Sequence, residues 1–169
     1  SIIANGPTSF CYGGRVTLSV SNAPNGVSYH WLRNGTIIPD STRRQLVVQN
    51  SGLYRVILDD GSSKDTLTGL QVNVNRPDAN LNGNGATIIN GDRYFKVCAA
   101  VALNFTFANA SSTSSTNTNY IIRWGDGTPD YTSSTFSSPI NHLYGVGIKT
   151  LTFIVYSGNC VDSAQYKVF

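Results

Sequence analysis

Asp126 and Asp130 are the two carboxylates that could act together beside an aromatic side chain, since they flank Gly127-Thr128-Pro129 just after Trp124. A close carboxylate pair can hydrolyse a substrate by acid and base chemistry, or it can bind calcium. Calcium takes roughly six to eight oxygen ligands, several of them carboxylates. The aspartates of residues 77–169 are scattered, so Asp126 and Asp130 are only weak calcium candidates. We expect Asp126 to brace a turn and Asp130 to be solvated, with no cofactor and no other metal.

The histidines and cysteines do not complete a catalytic centre. No serine–aspartate pattern frames His142. Cys11, Cys98 and Cys160 are too few and too widely spaced for a zinc site, so they predict one pair and one remaining thiol. We therefore predict no catalytic residue.

Aromatic rings that stack on sugar faces are the remaining binding candidates. If exposed, four rings could form such a carbohydrate platform: Tyr12, Tyr131, Phe136 and Tyr156. Small cores also need aromatic side chains, so the structural alternative stays open for each of the four.

The composition indicates a class of protein and excludes others. Of the 169 residues, 40% are hydrophobic and only 12% are charged, and Glu and Met are absent. Helix formers are scarce while Thr, Val, Ile, Tyr and Phe are plentiful, which predicts an all-β fold. The net charge is +3 and no basic run is longer than Arg43-Arg44, so we expect no nucleic-acid binding. No apolar run approaches the ~20 residues of a membrane span, and we expect no membrane insertion.

The elements that carry these residues are short strands. In residues 1–76, apolar residues alternate with polar ones from Val16 to Val20 and again from Leu53 to Leu58. Tyr29 and Trp31 share one face of a further strand, and Asn34-Gly35 is a hairpin turn. Strands recur about every 8–12 residues, the spacing of a β-sandwich.

The first half resembles an immunoglobulin-like domain in three segments: Gly14-Arg15-Val16-Thr17-Leu18, Tyr29-His30-Trp31 and Ser51-Gly52-Leu53-Tyr54-Arg55-Val56. The resemblance makes Trp31 the strand-C tryptophan and Tyr54 the tyrosine of the corner before strand F. The two inter-sheet cysteine positions fall on Val20 and Val56, so apolar packing alone would close the core. Cys11 lies earlier in the chain and is expected to be unpaired.

The second half resembles a PKD domain, a β-sandwich module. Trp124-Gly125-Asp126-Gly127-Thr128 matches the characteristic motif of that family, and Asn141-His142-Leu143-Tyr144 matches its second signature. Trp124, Gly125, Asp126, Gly127, His142 and Tyr144 would then be structural signature residues. In such a sandwich Cys98 on an early strand and Cys160 on the last hairpin can be neighbours, and we predict a Cys98–Cys160 disulfide.

The two resemblances together imply tandem sandwiches, immunoglobulin-like in 1–76 and PKD-like in 77–169. The chain, which begins at Ser1, is expected to be an excerpt of a longer protein. Tandem pairs of this kind resemble segments of large repetitive surface proteins of Bacteroidetes, which are secreted by the type IX system and include gliding-motility adhesins. This implies a non-enzymatic, extracellular, outer membrane-associated stalk or adhesion module. Its partners would be neighbouring domains of the same chain and surface polysaccharide or another extracellular polymer.

Two alternatives remain. One is an accessory carbohydrate- or protein-binding module of a secreted hydrolase, and the other is a spacer without a ligand.

Overall fold

Turn chemistry and alternating burial explain why this chain forms strands throughout. The computed structural model describes residues 1–169, and they fold as two compact units, Ser1–Asn75 (unit 1) and Arg76–Phe169 (unit 2). No helix is present and all regular elements are strands, so the predicted all-β fold is confirmed.

Unit 1 is a sandwich of a three-stranded sheet, β1-β3-β6, and a six-stranded sheet, β2-β9-β7-β4-β5, in which β8 pairs with β7. The strands are β1 (Ile2–Ala4), β2 (Ser9–Cys11), β3 (Val16–Val20), β4 (Ser28–Arg33), β5 (Thr36–Ile37), β6 (Gln45–Val48), β7 (Gly52–Asp59), β8 (Lys64–Thr66) and β9 (Leu70–Asn75). The strands β3 and β6 in one sheet, and β4, β7 and β9 in the other, occupy the places of strands B, E and C, F, G of an immunoglobulin-like sandwich.

The core of unit 1 is closed by apolar side chains from both sheets. Trp31 and Val56 are fully buried and face each other in register across β4 and β7, opposite the buried Val20 of the other sheet. The Trp31 indole N–H donates to the Arg43 carbonyl oxygen at 2.9 Å. The Tyr54 hydroxyl donates to the carbonyl oxygen of Asn50, four residues upstream, at 2.8 Å, the bond that defines a tyrosine corner.

The hairpin between β4 and β5 turns at Asn34-Gly35. Both residues have positive φ, 50° and 83°, as a two-residue type I′ turn requires. The Asn34 side chain also accepts a hydrogen bond from the Leu53 N–H at 2.9 Å. This hydrogen bond links the turn to β7. The strand that follows the turn, β5, is the last strand of its sheet.

Unit 2 is a second sandwich, built from a three-stranded sheet, β10-β13-β16, and a six-stranded sheet, β11-β12-β18-β17-β14-β15. The strands are β10 (Leu81–Gly83), β11 (Ala86–Ile89), β12 (Asp92–Phe95), β13 (Leu103–Asn109), β14 (Asn119–Arg123), β15 (Tyr131–Ser133), β16 (Ile140–Tyr144), β17 (Lys149–Ser157) and β18 (Cys160–Val168).

Aromatic rings fill the core of unit 2 from both sheets. Phe105 and Phe107 of β13 are buried against Phe153 of β17, with Trp124 and Tyr144 beside them. Leu151, Phe153 and Val155 alternate along β17, and all three are fully buried.

The cysteines correct the sequence prediction. Cys98 is an exposed free thiol, whereas Cys11 and Cys160 are both disulfide-bonded. The predicted Cys98–Cys160 disulfide and the unpaired Cys11 are therefore wrong. The physical reason is that β12 ends at Phe95, so Cys98 lies in an exposed irregular segment and not on a strand, while Cys160 is buried at the start of β18.

Candidate functional site

The Trp124–Thr128 turn brings together most of the predicted signature residues of unit 2. It follows β14, and the Trp124 side chain, 5% exposed, enters the core. His142 lies on β16 in the opposite sheet, and its imidazole stacks on the Trp124 ring with centroids 3.9 Å apart and planes 2° apart. The stack therefore joins the two sheets of unit 2 at this turn.

The glycines of the turn are required for different reasons. Gly125 has a φ of 76°, and a Cβ there would collide with the Thr150 carbonyl oxygen. Gly127 has a φ of 89°, but a Cβ there would meet no atom within 4 Å. Gly125 thus allows a close approach of two backbone segments, while Gly127 supplies only the left-handed conformation.

Asp126 is the centre of a hydrogen-bonded network. Its Oδ1 accepts hydrogen bonds from the Thr128 N–H at 3.0 Å and the Thr128 hydroxyl at 2.6 Å, and its Oδ2 lies 2.7 Å from His142 Nε2. Burial acts to raise the pKa of the Asp126 carboxyl, but the hydrogen bonds from Thr128 and His142 outweigh it and lower the pKa to about 2. The carboxylate is therefore ionised at neutral pH and only accepts, so His142 Nε2 carries the hydrogen and donates it.

The geometry of this network does not form a nucleophilic relay. A Thr–His–Asp relay uses one imidazole nitrogen for the hydroxyl and the other for the carboxylate. Here His142 Nε2 faces both groups, with Thr128 Oγ1 at 3.4 Å and Asp126 Oδ2 at 2.7 Å. The arrangement holds the turn closed and leaves Thr128 without a general base.

Tyr144 completes the bracing of the turn. Its hydroxyl donates to the Trp124 carbonyl oxygen at 3.0 Å in a buried position. Burial, with a smaller contribution from the Asp126 charge, raises the pKa of the Tyr144 phenol well above its ordinary value. Tyr144 is thus a neutral hydrogen-bond donor over the whole physiological pH range.

Asp130, the second calcium candidate, does not join Asp126 in a shared site. Its carboxylate lies 3.6 Å from Arg123 Nε, and the side chain is 48% exposed. The structure holds no group of three or more His, Cys, Asp or Glu side chains arranged to bind a metal ion. Asp126 therefore interacts with Thr128 and His142, and Asp130 with Arg123.

The four candidate rings for carbohydrate stacking differ in exposure. Phe136 is 6% exposed and packs in the core of unit 2, against Tyr120 and Phe153. Tyr131 and Tyr156 are half-buried, and only Tyr12, in unit 1, is largely exposed, at 60%.

Two concave surfaces were not found from the sequence. One, in unit 2, has a volume of about 420 Å³ and is lined by uncharged side chains, both polar ones such as Asn109, Ser115 and Thr135 and the rings of Tyr120 and Phe136. The other, in unit 1, has a volume of about 580 Å³ and lies between β5 and β6. The run Ile37-Ile38-Pro39, which indicates a short edge strand, was the one sequence signal for the second surface.

No helix in the structure has the length and apolar character needed to span a bilayer. Neither a known family model nor a curated protein matches the sequence.

Solved structures of immunoglobulin-type proteins resemble the chain at low identity. A titin fragment, domains I67–I69, shares 14% identity with a TM-score of 0.44, covering 95% of this chain and 61% of the fragment. The amphioxus IgVJ-C2 molecule shares 14% identity at a TM-score of 0.42, covering 94% of this chain and 98% of its own. A marsupial T cell receptor shares 12% identity with a TM-score of 0.45, covering 99% of this chain and 72% of the receptor chain. At these TM-scores the likenesses carry no statement about function.

Proposed function

We propose that the chain is a non-enzymatic extracellular module of a large bacterial cell-surface adhesin, in which it acts as a stalk and adhesion segment. The observation that carries this proposal is the disulfide-bonded state of Cys11 and Cys160. Structural disulfides persist in oxidising compartments and at the cell surface, and they are rare in a reducing cytosol. The low charged fraction and the polar, uncharged loops fit the same setting.

The state of the candidate catalytic groups supports a role without chemistry. Asp126 and His142 bind each other at 2.7 Å, and Asp130 faces Arg123. A hydrolase needs a carboxylate or base that is free to exchange a proton with a substrate. The side chains that could do chemistry instead stabilise a turn, which suits a module whose work is mechanical.

The more specific parts of the proposal rest on the sequence motifs. We assign unit 2 to the PKD-like sandwiches on Trp124–Thr128 and His142–Tyr144, and unit 1 to the immunoglobulin-like sandwiches on Trp31 and Tyr54. Each unit would fold as a domain of its own, and calcium at Asp126 and Asp130 would play no part. The parent protein would be a repetitive, type IX-secreted surface protein of Bacteroidetes, outer membrane-associated and linked to gliding. Its partners would be neighbouring domains of the same chain and surface polysaccharide or another extracellular polymer.

A bead adhesion assay tests the adhesive part of the proposal. Beads coated with the oxidised chain should adhere to polysaccharide-coated and bacterial surfaces under flow more often than beads coated with an unrelated β-sandwich of equal charge. A parallel glycan array identifies any sugar that accounts for the adhesion. If the coated beads detach like the control beads from every surface, the module is a spacer and the adhesive role is wrong.

An accessory carbohydrate-binding module of a secreted hydrolase is the second candidate. The uncharged concave surface of unit 2 favours it, because hydroxyl and amide side chains match the hydrogen-bonding groups of a neutral sugar. Ser115→Arg would place a charge in that surface and should abolish binding to a neutral polysaccharide column. Val161→Arg, at a residue 55% exposed on β18, is the matched control and should leave retention unchanged. Equal retention of both variants would contradict this candidate.

A further inference from the structure

The groove of unit 1 lies on the open side of its sandwich, between the last strands of the two sheets. β5 ends one sheet and β6 ends the other, and no strand of the chain pairs with either outer edge. The groove has a volume of about 580 Å³, within the range of ligand pockets. Apolar side chains dominate its lining: Ile37, Ile38, Pro39, Leu46, Val47 and Val48.

The register of β6 shows which backbone groups face the groove. Val20 N–H donates to the Arg44 carbonyl oxygen at 3.1 Å, and Leu18 and Val16 continue this register opposite Leu46 and Val48. In an antiparallel ladder the residues between hydrogen-bonded pairs direct both N–H and C=O to the other side. Gln45 and Val47 therefore present two donors and two acceptors along the free edge of β6.

The edge of β5 has the same property on the opposite side of the groove. Ile38 N–H donates to the Trp31 carbonyl oxygen at 2.8 Å, so Ile37 directs its backbone groups outward. The side chains of Ile37 and Val47 are each 57% exposed. Natural edge strands are usually protected by charges, bulges or proline. Pro39 follows β5, but β6 carries no charged residue and no proline.

The charge in the lining of the groove is positive only. Arg33 is the one charged residue in the lining, and no carboxylate lines it. Arg33 Nε and Nη2 donate to the Ser51 carbonyl oxygen at 2.9 and 2.7 Å, which places the guanidinium at the end of the groove where β6 leads toward Ser51. The partner that fits has an extended backbone, apolar side chains on alternate residues, and a negative charge at one end.

We propose that this groove binds an extended, acidic segment of another polypeptide as an added antiparallel strand on β6. The segment pairs with the free N–H and C=O groups of Gln45 and Val47. It places every second, apolar side chain between the sheets over Leu46 and Val48, where a further strand of the sandwich would lie. Its acidic residue is at its N-terminal end, beside Arg33. This surface is independent of the proposed adhesive function and of the compartment in which the protein resides.

Peptide titration by NMR tests the proposal on the full oxidised chain. The probe is the peptide DVTVTV, acetylated and amidated, added to about 1 mM, the concentration at which weak strand addition is detectable. The amide signals of Gln45 and Val47 should shift, and their hydrogen exchange should slow on binding. VTVTVD, with the acid at the wrong end, and DVPVTV, in which proline replaces a threonine whose N–H pairs with β6, should each bind about tenfold more weakly, the equivalent of one or two hydrogen bonds.

Val47→Pro removes the outward N–H while the bonds of Leu46 and Val48 to β3 remain, because proline is tolerated when its nitrogen faces away from the sheet. This substitution should weaken the binding of DVTVTV by at least about tenfold. Arg33→Gln should remove the preference for the acidic end. Ile88→Lys, at a 70% exposed residue on another edge strand, should change nothing. A circular dichroism spectrum equal to that of the parent chain shows that each variant is folded, and Gln45→Pro, which removes the other outward N–H of β6, replaces Val47→Pro if it is not.

Three outcomes would overturn the proposal. Equal affinity of DVTVTV and DVPVTV would mean that backbone pairing is not involved. Amide shifts confined to residues away from β5 and β6 would place the peptide at another site. A dimer that sediments as such and that Val47→Pro abolishes would assign the edge to a second copy of this chain.

Discussion

Asp126→Asn isolates the contribution of the carboxylate charge to the network that closes the Trp124–Thr128 turn. The substitution removes the charge but keeps a carbonyl oxygen that can accept the hydrogen bonds of Thr128. Folding lowers the pKa of Asp126 from its ordinary value of 3.8 to about 2, and its side chain is only 9% exposed, so solvent screens the network little. At 1.36 kcal/mol per pKa unit, this difference corresponds to about 2 kcal/mol of folding free energy.

The pH dependence follows from the direction of this change. Because the folded-state pKa is lowered, the charge stabilises the native state fully above about pH 5 and loses its effect as the pH falls through the folded-state pKa of about 2. Asp126→Asn should therefore destabilise unit 2 by about 2 kcal/mol at pH 7. The difference between the variant and the parent chain should shrink to less than about 0.5 kcal/mol at pH 2.

Urea unfolding read by pulsed hydrogen exchange measures this difference for unit 2 alone. Samples are equilibrated at each pH, labelled in a brief pulse at one fixed pH, and scored on peptides from the central strand Lys149–Ser157. Asp130→Asn is the matched control, because its ion pair with Arg123 is exposed and contributes at most about 1 kcal/mol. If Asp126→Asn lowers the free energy of unfolding equally at pH 7 and pH 2, packing and not charge stabilises the turn. No cost at pH 7 would refute the network itself.

Three further substitutions or labelling experiments test other parts of the structure. Tyr54→Phe removes the hydroxyl that donates to the Asn50 carbonyl oxygen and should lower the stability of unit 1 by about 1 kcal/mol, measured by urea unfolding. Gly125→Ala should cost clearly more in thermal stability than Gly127→Ala, since both have positive φ but only the first Cβ would clash with a main-chain oxygen; equal losses would contradict the predicted clash. Alkylation under non-reducing conditions should label Cys98 alone in mass spectra, and any second labelled cysteine would contradict the disulfide-bonded state described above.

The strands were predictable because alternation is a local property. Val16, Leu18 and Val20 alternate with polar residues, and each is buried. Tight turns such as Asn34-Gly35 were also predictable, since few residues accept positive φ at two successive positions. These features depend on neighbours in sequence, and one sequence is enough to locate them.

The cysteine pairing was not predictable, since it depends on distances between residues far apart in the chain. A disulfide needs Cα atoms within about 7 Å, and sequence spacing gives no such distance. Cys98 was placed on a strand by its neighbours Val97 and Phe95, but the strand ends two residues before Val97. An error of three residues in one strand boundary was therefore enough to assign the wrong partner to Cys160.

The binding surface proposed for unit 1 shows why a conspicuous sequence motif need not mark a binding site. The conspicuous residues of a sandwich are bound to one another: Trp124 to His142, and Tyr54 to Asn50. Both contacts hold their sandwich together, and the side chains of Trp124 and Tyr54 are buried in its core. At the edge of β6 the free groups belong to the backbone, which every residue carries, so no motif marks them. Only strand order and register identify them, and binding through such an edge tolerates changes of side chain that would destroy the Trp124 turn.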